Sequence, residues 1–245
     1  MLQLQNISKT FHGGFAPVLK DINLELKEGD FCVIIGSNGS GKSTLLKIIT
    51  GEYEPDSGSI TRESKISSVI QDVNKGTIPE MTLLENMALS IMRTKNSGLS
   101  FYNMYKAEII KQIKDAGIGL ENYIETKLAH LSGGQRQMIA TIMAINSGAG
   151  ILLLDEHTSA LDPKMQKHLM ELTAKSIAQK KLTSLMITHK LDDAIKYGNR
   201  LIMLHKGSIV FNVEGAEKSK LTAKELLALF HKYEDLELIG GKNVG

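Results

Sequence analysis

Cysteine is nearly missing from this chain: of 245 residues only Cys32 carries a thiol, so no disulfide can form within it. That scarcity suits a reducing cytosol, and Cys32, set in an apolar run, reads as a buried small hydrophobe. Net charge is scarce too. A balance of +2 neither demands nor excludes a nucleic-acid partner, and no dense basic tract with interleaved aromatics occurs, so no nucleic acid is expected. Long apolar runs are absent: tracts such as Ile151 to Leu154 fall far short of the roughly 20 residues that span a bilayer. The first residues show no basic stretch leading into an apolar signal region. The expectation is a cytoplasmic chain, soluble by itself, that reaches any membrane through a partner. Its length allows a sizeable core, in one large domain or two intimate ones.

What the chain does have is a glycine-rich run, Gly36, Ser37, Asn38, Gly39, Ser40, Gly41, Lys42, Ser43 and Thr44. It fits the phosphate-binding loop GxxxxGK[ST], and its context fits as well. Phe31 to Ile35 before it has the β-branched and aromatic character of a buried parallel strand, and Lys42 to Ile49 after it carries a helical apolar face closed by Gly51. The glycines let successive amides turn inward toward phosphate oxygens, aided by the positive end of the helix. Lys42 adds a point charge near the β- and γ-phosphates, and Ser43 can place its hydroxyl on Mg²⁺.

Along the rest of the chain, strands and helices alternate. Strands are expected at Leu2 to Ile7, Val18 to Leu26 and, after a turn at Pro55 to Gly58, in short pieces from Ser59 to Ile70. Thr82 and Glu85 are spaced as a capping box for a helix reaching about Arg93. Asn96 to Ser100 breaks it, Tyr102 to Ala116 is helical again, and Ser132 with Gln135 starts a helix running through Ile145. The stretch 76–150 therefore reads as an inserted helical subdomain between two parts of a core, 1–75 and 151–215. Within the second part, Ile151 to Leu154 and Leu182 to Ile187 are strands around a helix from Pro163 to Gln179, and Arg200 to Val213 is a hairpin. Residues 216–245 form a tail with a helix capped by Thr222 and Glu225. This alternation predicts an α/β fold, a mostly parallel sheet with helices on both faces.

Asp155 and Glu156 stand at the carboxyl end of an apolar strand, where ligands collect in open α/β sheets. Asp155 is typed to hold Mg²⁺ and Glu156 to orient or deprotonate an attacking water, although paired acids also end ordinary solvated strands. His189 closes another strand; it can donate to a γ-phosphate or the attacking water, or simply cap the next helix. Gln71 also ends a strand-like piece, where its amide can reach Mg²⁺ or the water, or lie idle on the surface. Leu131, Ser132, Gly133, Gly134 and Gln135 begin a helix with uncovered first amides, a second anion-receptive terminus. No lysine or acid beside it completes a nucleotide site. Such a receptor makes sense as the missing part of a site on another chain; a merely well-capped helix is the plain alternative.

This ordered set resembles the ATP-binding subunits of ABC transporters, with near-complete motifs from 36 to 189. Gly36 to Thr44 looks like their Walker A motif, Gln71 like the Q-loop glutamine, Leu131 to Gln135 like the signature, and Ile151 to Glu156 like Walker B. Ser159 to Asp162 resembles the D-loop and His189 the switch histidine. The resemblance implies a P-loop, RecA-like core with a small antiparallel β region and the inserted helical subdomain. It further implies two copies joined head to tail around two ATP molecules with Mg²⁺, each held by one copy's Walker motifs and the other's signature. Glu156 becomes the expected catalytic base and Asp155 the magnesium residue, while Ser132, Gly134 and Gln135 touch nucleotide across the interface. Phe11, or alternatively Phe15, lies where the family stacks an aromatic on adenine, and 76 to 130 is where it meets the permease. The chain would then sit peripherally on the inner face of the membrane.

His157 departs from the usual proline after the Walker B glutamate, and Gly58 to Gln71 is short for the family. The surroundings of Gln71 and of Glu156 to Thr158 resemble ATPases paired with branched-chain amino-acid-type permeases and solute-binding proteins, some assigned to tryptophan or tyrosine uptake. The expected function is thus the energy-coupling ATPase of an amino-acid or small-solute importer. Alternatives are an exporter ATPase, a non-transport ABC ATPase, and a regulatory nucleotide binder that does not turn over, against which intact Lys42, Glu156 and His189 weigh.

Overall fold

The structure, a computed structural model, describes residues 1–11, 16–70, 76–95 and 102–240. Its strands are β1 (Leu2–Lys9), β2 (Leu19–Leu26), β3 (Phe31–Ile35), β4 (Ser57–Arg62), β5 (Ile66–Val69), β6 (Ile151–Asp155), β7 (Thr183–Ile187), β8 (Arg200–His205) and β9 (Ser208–Glu214). Its helices are α1 (Lys42–Thr50), α2 (Leu83–Lys95), α3 (Lys106–Ala116), α4 (Gly133–Ile145), α5 (Pro163–Lys180), α6 (Leu191–Lys196), α7 (Gly215–Lys220) and α8 (Ala223–Gly240). The chain divides into two compact units, Met1–Glu63 with Leu185–Gly245, and Ser64–Ser184.

In the first unit β1 pairs antiparallel with β2 on one side and β4 on the other. Alternation sets the register: Leu2 faces Leu26, Leu4 faces Leu24 and Ile7 faces Ile22, all buried. A one-residue slip would turn this apolar row to water. Ser57 and Gly58, read from sequence as the end of a turn, open β4 instead. The same unit holds most of β7, then β3, parallel β8 and antiparallel β9 in that order. Every residue of β3 is buried, as a strand covered on both faces requires.

In the second unit β5 runs parallel to β6, with the start of β7 next. Its helices α2, α3, α4 and α5 share one apolar core that includes Leu83, Met87, Ile109, Ile113, Ile139 and Leu169. Both capping boxes expected within this unit are present. Thr82 N donates to Glu85 Oε2 at 2.7 Å while Glu85 N donates to Thr82 Oγ1 at 3.2 Å, and Ser132 and Gln135 exchange the same pair of bonds. The expected strands and long helices are therefore present, in a mixed α/β architecture with mostly parallel strands and a small antiparallel sheet. Two elements escaped the pattern reading, α6 and α7, each of six residues. Tyr102–Tyr105 forms a 3₁₀ turn ahead of α3 rather than its first α-helical turn. The expected break at Asn96 to Ser100 lies outside the described residues.

Candidate functional site

The glycine-rich run joins β3 to α1 as strand, loop and helix. Ser40 N donates to Ser37 O at 3.2 Å and Leu45 N to Gly41 O at 2.9 Å, so the loop turns directly into the helix. The helix has no side chain at its N-cap, Gly41, and its first amides stay open to an anion. Lys42 is buried, and its ammonium donates to Gly36 O at 2.9 Å and Ser37 O at 2.8 Å. Those bonds hold the charge against the loop. The hydroxyl-bearing Ser43 is exposed one residue further on.

The loop also has a support that the motif does not mention. Gly207 N, in the β8–β9 turn, donates to Ser40 O at 3.1 Å, and Lys20 N donates to Gly207 O at 2.8 Å. A side chain at Gly36 would collide with Leu204 O, so the end of β3 packs directly on β8. The Lys206-Gly207 dipeptide, both residues at positive φ, was the available signal, but it reads as an ordinary hairpin turn. At the far end of α1, Arg62 donates to Ile49 O at 2.7 Å and Ile48 O at 2.8 Å, a cationic cap that sequence alone does not disclose.

Thr188 N donates to Ile34 O at 3.3 Å, which ties the end of β7 to the end of β3 and places exposed His189 after a strand neighbouring the phosphate-loop strand. The N-cap of α6 is the next residue, Lys190, whose N–H donates to Thr188 Oγ1 at 3.1 Å. Phe11 is 39% exposed, edge-on to Tyr53 with ring centroids 5.3 Å apart, and the Lys9 ammonium lies 5.8 Å from its ring. Its rival Phe15, and the Q-loop candidate Gln71, lie outside the described residues.

In the second unit Asp155 ends β6, and both it and Glu156 are half-buried. Glu156 takes the left-handed conformation, φ 48, which costs a non-glycine residue about 1–2 kcal/mol. Ser159 N closes the turn by donating to Glu156 O at 2.9 Å. His157 is fully enclosed, and burial pushes its imidazole down to about 4. It is therefore neutral near pH 7, so replacing the family's proline brings no cation beside Glu156. Asp162 caps α5 by accepting from Lys164 N and Met165 N, each at 3.0 Å.

Ser132 and Gln135 spend part of their capacity on the capping box that starts α4. The two glycines between them differ. A side chain at Gly133 would meet open space, whereas one at Gly134 would press within 2.9 Å of Leu161 Cδ2. Gly133 leaves open space at the terminus, and Gly134 lets α4 pack on the Ser159 to Asp162 turn.

Residues 19–159, more than half of the chain, match the ABC transporter family. The chain belongs to that family. It is an ABC transporter ATP-binding subunit, and as such it binds and hydrolyses ATP. The tyrosine transport ATP-binding protein of Clostridioides difficile is 40% identical over 247 residues, 94% of this chain and 98% of that one. The spermidine/putrescine import ATP-binding protein PotA of Mycoplasma mycoides is 33% identical over 221 residues, 85% of this ABC subunit but 60% of that longer protein. Among solved structures, a dimeric post-hydrolysis ATP-binding cassette bound to ADP and Pi superposes with a TM-score of 0.78 at 31% identity, covering 87% of this chain and 98% of that one. Among the described residues of this ABC subunit, no helix is long and apolar enough to cross a membrane.

Proposed function

We propose that this chain is the energy-coupling ATPase of an amino-acid importer, working as a head-to-tail pair of copies bound to a membrane permease. The observation that carries the reading is the α4 terminus, where Ser132 caps the Gln135 amide and Gly133 puts no side chain in the open space beside it, in a chain that already owns a complete phosphate loop. One chain thus presents two different phosphate receptors. In the pair, the Gly36 to Thr44 loop of one copy holds the phosphates of an ATP, and the Ser132 to Gln135 terminus of the other closes over it.

Within that site Lys42 releases its loop carbonyls to the β- and γ-phosphates, and Phe11 stacks on adenine. Glu156 takes a proton from the attacking water, and His189 donates a hydrogen bond to the γ-phosphate, holding the developing charge. Ser43 and Asp155 offer the hydroxyl and carboxylate oxygens that Mg²⁺ accepts, with Gln71 as a further oxygen donor. Magnesium keeps several waters and needs one or two carboxylates beside the phosphates, so this donor set suits it. When bound, the ion neutralises charge on the phosphate oxygens.

The helical stretch 76–130 is the proposed arm toward the permease. That stretch carries exposed apolar side chains at Ile78, Leu89, Met104 and Tyr123. The subunit is then held peripherally at the cytoplasmic face, and an extracytoplasmic binding protein delivers the solute. The tyrosine transport relative, similar over nearly its whole length, supports an aromatic amino acid as cargo. Mild detergent extraction of membranes and purification through this chain should co-isolate a permease with tyrosine-stimulated transport after reconstitution. Recovery of the chain alone, or with ribosomes or DNA, would contradict the importer reading.

A further inference from the structure

Lys218 lies on α7, distant in sequence from every motif above, and is only 3% exposed. An ammonium so enclosed must have its donors satisfied. Its Nζ donates to three main-chain carbonyls, Ile195 O at 2.9 Å, Tyr197 O at 2.8 Å and Gly198 O at 3.0 Å. Three donors meet three acceptors. These carbonyls lie at and just beyond the C-terminal end of α6, where a positive charge is also favoured by the helix dipole. A six-residue helix makes few bonds of its own, so such an external cap does much of the work of holding it.

The segment bearing those carbonyls is fixed from a second side. Phe31 N donates to Asn199 Oδ1 at 2.7 Å and Asn199 N donates to Phe31 O at 3.0 Å, which joins it to the first residue of β3. Gly198 at φ 78 leaves no room for a side chain against Phe31 O. The other end of α6 follows His189 with a single residue between. His189 thus stands one residue ahead of the N-cap of a short helix whose far end is bound by Lys218.

We propose that Lys218 is a positioning residue for His189, acting through α6 by closing its carbonyl end. This rests on the reading of His189 as a hydrogen-bond donor to the γ-phosphate. Lys218 itself is buried with its donors engaged, so it contributes to the alignment of His189 and not to nucleotide affinity. The cost of losing it is one of misplacement, for which about tenfold in rate is a modest figure.

The test is steady-state ATP hydrolysis by the full chain. Lys218→Met keeps the unbranched stem, one atom shorter, and removes all three donors; it should lower kcat about tenfold while leaving the KM for ATP unchanged. Lys218→Gln, which keeps two donors, serves if the methionine variant does not fold, and an intermediate loss is expected. Combined with His189→Ala, either change should add no further loss, because two residues acting in series do not multiply. Unchanged kcat with only a lowered Tm would overturn the proposal, as would losses that multiply in the double variant. If His189→Ala alone turns over normally, the reading of His189 fails and the proposal with it. A slow His189→Ala beside a fast Lys218→Met overturns the role of Lys218 alone.

Discussion

Glu156→Gln is expected to slow ATP hydrolysis about a thousandfold while leaving ATP affinity unchanged, since a positioned general base contributes roughly 10²–10⁴ in rate. The substitution keeps the shape of the side chain and removes its capacity to take a proton. The backbone turn survives, because the Ser159 N to Glu156 O bond that closes it involves no side chain. Loss of rate then reports on proton transfer and not on a collapsed loop. Single-turnover release of phosphate is the measurement to make, and ATP-bound dimers should accumulate beside it. A native rate would remove Glu156 from the role of base.

The second large effect is on binding. Lys42→Ala should weaken ATP binding about a hundredfold, from the loss of one or two charge-assisted hydrogen bonds of roughly 1.5–3 kcal/mol each. Hydrolysis falls with it. The same change removes the donor to the Gly36 and Ser37 carbonyls, so a lower Tm is expected alongside. Titration with a fluorescent ATP analogue would read the affinity directly. Unaltered affinity would mean that the ammonium never leaves its loop carbonyls for phosphate.

Much of this was legible in the residues because the signals were local. Buried strands such as β3 and β6 announce themselves as short apolar runs, and capping boxes at Thr82 and Ser132 need only a spacing of three. The phosphate loop requires glycine, lysine and serine at set positions for reasons that hold in any chain. What escaped was non-local or brief. Nothing in the spacing of Gly207 shows that its amide would hold Ser40 O, because the two are joined only after β3 pairs with β8. Helices α6 and α7 are too short to display a period. Lys218 reads in sequence as one surface lysine among several, and its burial depends on three carbonyls supplied by a turn some twenty residues earlier. Gly134 fits the signature pattern, yet its contact with Leu161 is visible only once α4 and the turn before α5 are packed.

His157 shows how a departure from the family pattern is judged by its surroundings. A histidine beside Glu156 could carry a charge there. Enclosure holds this one neutral at physiological pH. Its ring is buried, and the neighbouring turn is closed by the Ser159 N to Glu156 O bond.

The claim at the centre of this account is that each ATP site is built from two copies of the chain. Mixing two inactive variants tests it most directly: Lys42→Ala, which spoils the phosphate loop, and Ser132→Arg, which blocks the α4 terminus. Mixed pairs contain one site in which an intact loop meets an intact terminus. ATPase activity should therefore return on mixing, toward the fraction of mixed pairs, although each variant alone is silent. A mixture as inactive as its components would contradict the shared site, and so would full activity in Ser132→Arg alone.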